Sequence, residues 1–240
     1  MNILFTMDLR ATLMPKRLNP DNLTDAIITI GYKADYSKHY LEKEIIGFLN
    51  AQEGVEKFTE IKIPQREMEK YRTDHFFGSS VYRLIISEYE IQINVVDSYV
   101  GWQAYVEFIM LMLKRVYDQM AFTHVMLRYI SSYKDVSIFD KLDGTVKLNN
   151  MDTFFGATLQ FNCRHIGDDG DYAVRTLLTD RLKTKDGNEF SMVDIWLKGD
   201  LKSPAYADMM SLLNAMHLGE KTMFYSILKK EFVDSLNPEY

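Results

Sequence analysis

Apolar and polar residues change their spacing several times along the chain, and each change marks a different element. Ala26–Tyr32 (AIITIGY) is dense in β-branched side chains and predicts a strand. Ser37 then stands as an N-cap for a helix that places Leu41, Ile45, Phe48 and Leu49 on one side. From Gln52 to Gly78 the pattern dissolves into polar and aromatic residues broken by Pro64, which predicts a long connection holding one short strand, Thr59–Ile63. Val81–Ser87 and Glu90–Val96 form the clearest hairpin. In its second arm Glu90, Gln92 and Asn94 alternate with Ile91, Ile93 and Val95, the period of two expected of a sheet with one wet and one dry face.

Helical spacing begins after Gly101. Trp102, Tyr105, Val106, Ile109, Met112, Leu113, Val116, Tyr117 and Met120 recur at steps of three and four, opposite Gln103, Glu107, Lys114 and Asp118. They predict a rod of roughly 28 Å at about 1.5 Å per residue. A strand follows over His124–Ser131, then a polar stretch to Asn150. Phe154–Arg164, Asp171–Arg181 and Glu189–Lys198 read as three more strands. Gly167-Asp168-Asp169-Gly170 and Lys185-Asp186-Gly187-Asn188 join them with hairpin-turn chemistry. Ser203-Pro204 opens a last helix running to about Leu236, with Tyr206, Met209, Leu213, Met216, Phe224, Ile227 and Leu228 on its apolar side. Gly219 is the place where that helix would bend or split.

The expected fold is therefore α+β: an antiparallel sheet built from hairpins, packed on one face by two long amphipathic helices plus a shorter N-terminal helix. Each half, 18–132 and 150–240, reads as strands followed by a long helix, a suspected pseudo-repeat without residue-level self-similarity. No Gly/Ser/Pro-rich linker divides them, so 18–240 is expected to form one domain after an N-terminal extension, 1–17.

Composition narrows the function. The 240 residues are 47% hydrophobic and 26% charged, enough chain and apolar content for a sizeable core. Twenty-eight Lys and Arg against 34 Asp and Glu leave a net charge of −6, which argues against general nucleic-acid binding. A single cysteine, Cys163, rules out an intrachain disulfide framework and a cysteine-rich zinc site. Met1–Leu13 lacks a basic start and carries Asp8 and Arg10, unlike a signal peptide. The apolar run Phe108–Leu113 is flanked by Glu107, Lys114 and Arg115 and is too short to span a bilayer. Together these features predict a cytoplasmic protein with no membrane partner.

Chemical motifs are scarce. GxGxxG, P-loop, HExxH, GxSxG and CxxC patterns are all missing. His165, Asp168, Asp169 and Asp171 crowd into seven residues and have the donors for a hard cation, although Asp and Gly also dominate turns for conformational reasons. Arg128 and Asp194 lie in apolar strands, where a charge needs a reason. They would either pair across neighbouring strands or grip a polar ligand. His217 sits beside the apolar face of the last helix and is a third ligand-binding candidate, against a plain packing role. The aromatic run Tyr71, His75, Phe76 and Phe77 beside Arg72 suits packing better than base stacking in its acidic surroundings.

Several segments carry a family resemblance. They are Asn19-Pro20 with Asp25-Ala26-Ile27, Tyr99-Val100-Gly101-Trp102, Leu127-Arg128-Tyr129-Ile130, Val193-Asp194-Ile195, and His217 with Phe224 and the closing Leu236-Asn237-Pro238-Glu239-Tyr240. Together, over about residues 18–240, they resemble a sporadically distributed prokaryotic TIGR family of unknown function. Ser131 and Trp196 depart from its pattern, where relatives carry Asn after Arg-Tyr-Ile and a second Asp in Asp-Ile-Asp. The resemblance brings no established activity, cofactor or catalytic residue. It implies a bacterial or archaeal accessory protein of the kind scattered among mobile and defence-associated genes.

Three functions follow as expectations. The favoured one is a non-enzymatic interaction or regulatory protein, an immunity, antitoxin-like or defence-island factor whose partner is another protein or a second copy of itself. Fourteen methionines and 29 Tyr and Phe residues are adaptable contact material for such a role. The second is a small-molecule or nucleotide sensor with a cavity between sheet and helices, Arg128 and Asp194 near its floor. The third is a metal-dependent hydrolase using His165, Asp168, Asp169 and Asp171. No catalytic residue and no cofactor is assigned.

Overall fold

The β-branched stretch near the start of the chain becomes the axis of the molecule. In a computed structural model, which describes residues 14–16, 18–19, 21–33, 38–62, 75–96, 98–144, 156–168 and 170–240, it is the strand β1, Leu23–Lys33. The other strands are β2 Thr59–Glu60, β3 His75–Gly78, β4 Tyr82–Ile86, β5 Glu90–Val95, β6 Ala121–Lys134, β7 Thr158–His165, β8 Tyr172–Lys183 and β9 Glu189–Asp200. The helices are α1 Lys38–Ala51, α2 Trp102–Leu113, α3 Tyr206–Ile227 and the short α4 Lys230–Ser235. Among the described residues the strands form one nine-stranded sheet, ordered β2-β3-β4-β5-β1-β6-β9-β8-β7, with every pairing antiparallel. The fold is α+β. Outward from the central β1–β6 pair, each side runs back through the strands that follow it in sequence, β5, β4, β3 and β2 beside β1 and β9, β8 and β7 beside β6.

Register sorts the side chains onto two faces. Leu84, Ile93, Ile28, Leu127, Leu197 and Val174 stand opposite one another in successive pairs and are all buried. Removing such a side chain from water contributes about 1.5–3 kcal/mol. The helices cover this face. The Tyr105 hydroxyl of α2 lies 2.5 Å from the Ile93 carbonyl and 3.2 Å from that of Ala26. Glu42 of α1 meets His75 of β3 at 2.9 Å, and Phe232 of α4 packs edge-on against Tyr133 of β6. Along β6 the alternate residues Met126, Arg128 and Ile130 point to the opposite face, which carries no helix among the described residues.

Several expectations change. The second helix stops at Leu113, twelve residues long and shorter than the fourteen-residue α1, so the first of the two long rods is not one. Val116 and Met120 still reach the core through a turn and a 3₁₀ segment, Tyr117–Gln119. A 3₁₀ turn repeats every three residues and so imitates the helical spacing. β3 lies inside what reads as a connection, since only Phe76 and Phe77 carry its apolar signal. The predicted strand Thr59–Ile63 contracts to Thr59–Glu60. Ser37, Pro64 and Phe154 fall outside the described residues, and the strand expected from Phe154 begins, as β7, at Thr158.

The last helix passes straight through Gly219. A Cβ there would lie 2.2 Å from the Tyr172 hydroxyl, so this glycine permits close packing of α3 on β8 and does not end the helix. The break comes at Leu228, which is extended and bridges to Leu142. The Asp143 N–H donates to the Ile227 carbonyl and the Lys229 N–H to that of Lys141, which satisfies backbone groups exposed by the break. At the other end Ala205, and not Ser203, is the cap residue, while the Ser203 hydroxyl accepts from its N–H at 3.3 Å.

Candidate functional site

A cleft of about 540 Å³ opens where the start of β1, the end of β6, the first turn of α2 and the second half of α3 converge. That volume is in the range of small-molecule sites. Local sequence explains each wall. Gly101 adopts φ 89°, open to glycine, and turns the chain abruptly into α2, presenting Tyr99 and Trp102 to the cleft. On β6 the strand period of two sends Tyr129 and Ser131 inward. On α3 the steps His217, Glu220, Lys221, Phe224 and Tyr225 follow one helical stripe. The segment before β1 closes the rim, pinned by Lys16 Nζ donating to the Tyr240 carbonyl at 3.0 Å and the Asn19 N–H to that of Leu236 at 2.8 Å.

Inside, the polar groups form an ordered set. His217 stacks on Trp102 with ring centres 4.1 Å apart and planes 9° from parallel. Its Nδ1 lies 3.3 Å from the Tyr129 hydroxyl, which lies 3.0 Å from that of Tyr99. Burial, reinforced by the nearby Lys221 charge, pulls the imidazole down to about 3, so the ring is neutral at pH 7. A neutral ring lets the hydrogen-bond chain through the two tyrosines run in either direction. Trp102 is fixed in turn by its indole N–H, which donates to Asn214 Oδ1 at 2.9 Å.

Glu220 is the unusual member. It lines the cleft, it is only 7% exposed, and among the described residues no hydrogen bond or ion pair engages its carboxyl. Desolvation pushes it up to about 8, against a smaller opposing pull from Lys221. At pH 7 it is mainly a neutral acid, a donor and an acceptor in one group. Lys221 is likewise without a partner among the described residues, and burial lowers its ammonium from the usual range. With no partner among the described residues, both groups are available to whatever enters the cleft.

The sequence candidates separate. His217 belongs to the cleft. Arg128 and Asp194 do not: they lie on the helix-free face, so the expected cavity floor is made by Tyr129 and Ser131 and not by them. There they form a two-pronged fork, Nε to Oδ1 at 2.9 Å and Nη2 to Oδ2 at 2.7 Å. Asp194 is 5% exposed and Arg128 39%. Beside them Arg175 stacks over the Trp196 ring at 4.2 Å, the position where the second Asp of the family pattern is absent. Asp25, close enough to feel both charges, is held above the usual carboxylate range by burial.

His165 stacks on Tyr172 at 4.5 Å, and Asp171 pairs with Lys202 at 3.7 Å. Asp169 lies outside the described residues, and among those described no three His, Cys, Asp or Glu side chains converge to hold a metal ion. No helix among them is long and apolar enough to cross a membrane. Sequence reasoning missed Glu220, although a signal existed. Met209, Leu213, Met216, Phe224 and Ile227 leave a gap in their four-three-four rhythm at position 220, so a glutamate occupies an apolar phase. No known family model matches the chain, and no curated protein matches it significantly.

Proposed function

We propose that this protein is a small-molecule-binding, non-enzymatic regulatory module whose ligand occupies the cleft between β6, α2 and α3. The observation that carries this reading is Glu220: a largely buried residue whose carboxyl has no partner among the described residues, lining a cleft of suitable volume with aromatic walls. A ligand that supplies hydrogen bonds to this carboxyl would be held there. The segments that resemble the prokaryotic family support the same site, since Tyr99 to Trp102, Tyr129, His217 and Phe224 all line it. On that resemblance we place the protein among prokaryotic accessory factors working in a reducing cytoplasm. We read the shared running order of the two sides, last strand innermost with β2 as an extra strand on one edge, as a structural repeat.

The test is a small-molecule library screened by ligand-observed NMR against the wild type and Trp102→Ala. Hits that disappear in the variant are the expected result. An empty screen, or hits retained equally by the variant, contradicts the reading.

A second reading, interaction with another protein or a second copy, rests on β7. It is the outer strand of the sheet, largely exposed, with Leu159 and Phe161 half-buried along it. Such an edge can accept an added strand. Light scattering tests self-association: a dimer that Asn162→Pro dissociates supports it, and a monomer at all concentrations contradicts it.

A further inference from the structure

Three features of the cleft narrow its ligand, and the inference drawn from them rests on the binding role proposed above. The walls are π-systems, with Tyr99, Trp102, Phe224 and Tyr225 bordering the space. Such walls suit a flat conjugated ring, whose stacking is worth roughly 1–3 kcal/mol. The α3 wall holds Glu220, which as a neutral acid sets an O–H donor and a C=O acceptor side by side in one plane. The complement of that pair is a planar edge with an acceptor adjacent to an N–H donor. Lys221, without an ion-pair partner among the described residues, lines the same cleft as Lys16, Asp21 and the first turn of α2, which no side chain caps. Both features favour an anion.

We infer that the cleft takes a nucleobase-type heterocycle bearing an anionic substituent: ring among the aromatic walls, donor–acceptor edge on Glu220, anion toward Lys221 and the start of α2. Each part of the ligand answers a different part of the site. A simple organic anion would leave Glu220 unsatisfied, and a bare aromatic ring would leave both Glu220 and Lys221 so. A purely cationic ligand would meet the Lys221 charge in the cleft lining.

Calorimetry at pH 7 tests this with the 5′-monophosphates of adenosine, cytidine, guanosine and uridine as probes. Ribose 5-phosphate and purine riboside 5′-monophosphate, which lack the ring and the N–H donor respectively, are the controls. At least one nucleotide is expected to bind, about tenfold or more tighter than either control, a difference of one buried hydrogen-bond pairing. Glu220→Met should lose about tenfold in affinity, while Glu220→Gln, which keeps a donor and an acceptor, should hold it within a few-fold. Lys221→Met should abolish the preference for nucleotide over nucleoside. Binding unchanged in Glu220→Met overturns the inference. So does the absence of binding by every probe, and if the library screen still yields Trp102-dependent hits, the binding role stands and only this ligand class falls.

Discussion

Two carboxyl groups are hidden almost equally in this protein and live in opposite surroundings. Asp180, at a bulge in β8, has no exposed surface, and its oxygens receive the Arg181 Nε–H at 2.9 Å, and the Phe139 N–H and Ser137 hydroxyl at 3.3 Å. It ties the segment after β6 to the edge half of the sheet, and Arg181 accepts φ 46° to make the corner. Glu220 has none of these partners and faces a cleft. Burial alone therefore does not mark a functional carboxyl. What separates a fastening from a binding group is whether the protein itself satisfies it.

The comparison can be broken most forcefully at Asp180. Asp180→Ala removes an acceptor shared by four donors, Ser137, Phe139, Arg181 and Ser191, and should cost about 3–5 kcal/mol in denaturant unfolding, with ligand binding untouched in whatever fraction remains folded. An equal loss from Glu220→Ala would erase the distinction. Glu220→Gln should instead stabilise the protein at alkaline pH. Its folded-state value lies above the unfolded one, so the native state holds the proton longer, and wild-type stability falls as pH rises from about 4.5 to about 8. The loss amounts to several kcal/mol at roughly 1.4 per unit, and melting curves of the variant should lack it. His217 has the opposite sign. Its depressed value means that stability falls as pH drops from about 6.5 toward about 3, so the two slopes oppose each other in mildly acidic solution.

Much of the sheet is legible in the sequence. β1, β4, β5 and β6 are dense in β-branched residues or alternate cleanly; burial follows the alternation in β5 and most of β6, while the central β1 is buried continuously from Ile28 to Tyr32. The misses have local causes. β3 is four residues long and gains its strand character from pairing with β4. α2 ends early because a 3₁₀ turn continues its apolar spacing. Glu220 was legible as a polar residue in an apolar phase, whereas its lack of a partner belongs to tertiary structure alone. Arg128 and Asp194 show the converse, since their charge in apolar strands is visible in the chain but the face they occupy depends on register.

Two smaller effects sharpen the picture. Asp194→Asn breaks the fork but leaves Arg128 half in solvent, so about 1–3 kcal/mol should be lost, with no change in cleft binding. A binding defect there would mean that the helix-free face is the working one. Gly219→Ala should destabilise by about 1–2 kcal/mol despite a gain in helix propensity, because its methyl would collide with Tyr172. A neutral or positive change in melting temperature would show that α3 does not press on β8.

The most direct measurement is a carbon-13 NMR titration of glutamate-labelled protein without ligand, with the Glu220 carboxyl identified by its loss in Glu220→Gln. A midpoint of about 8 is expected of a buried acid that no described residue satisfies. A midpoint near 4.5, the ordinary value, would show a solvated or partnered carboxylate and remove the foundation of the binding site.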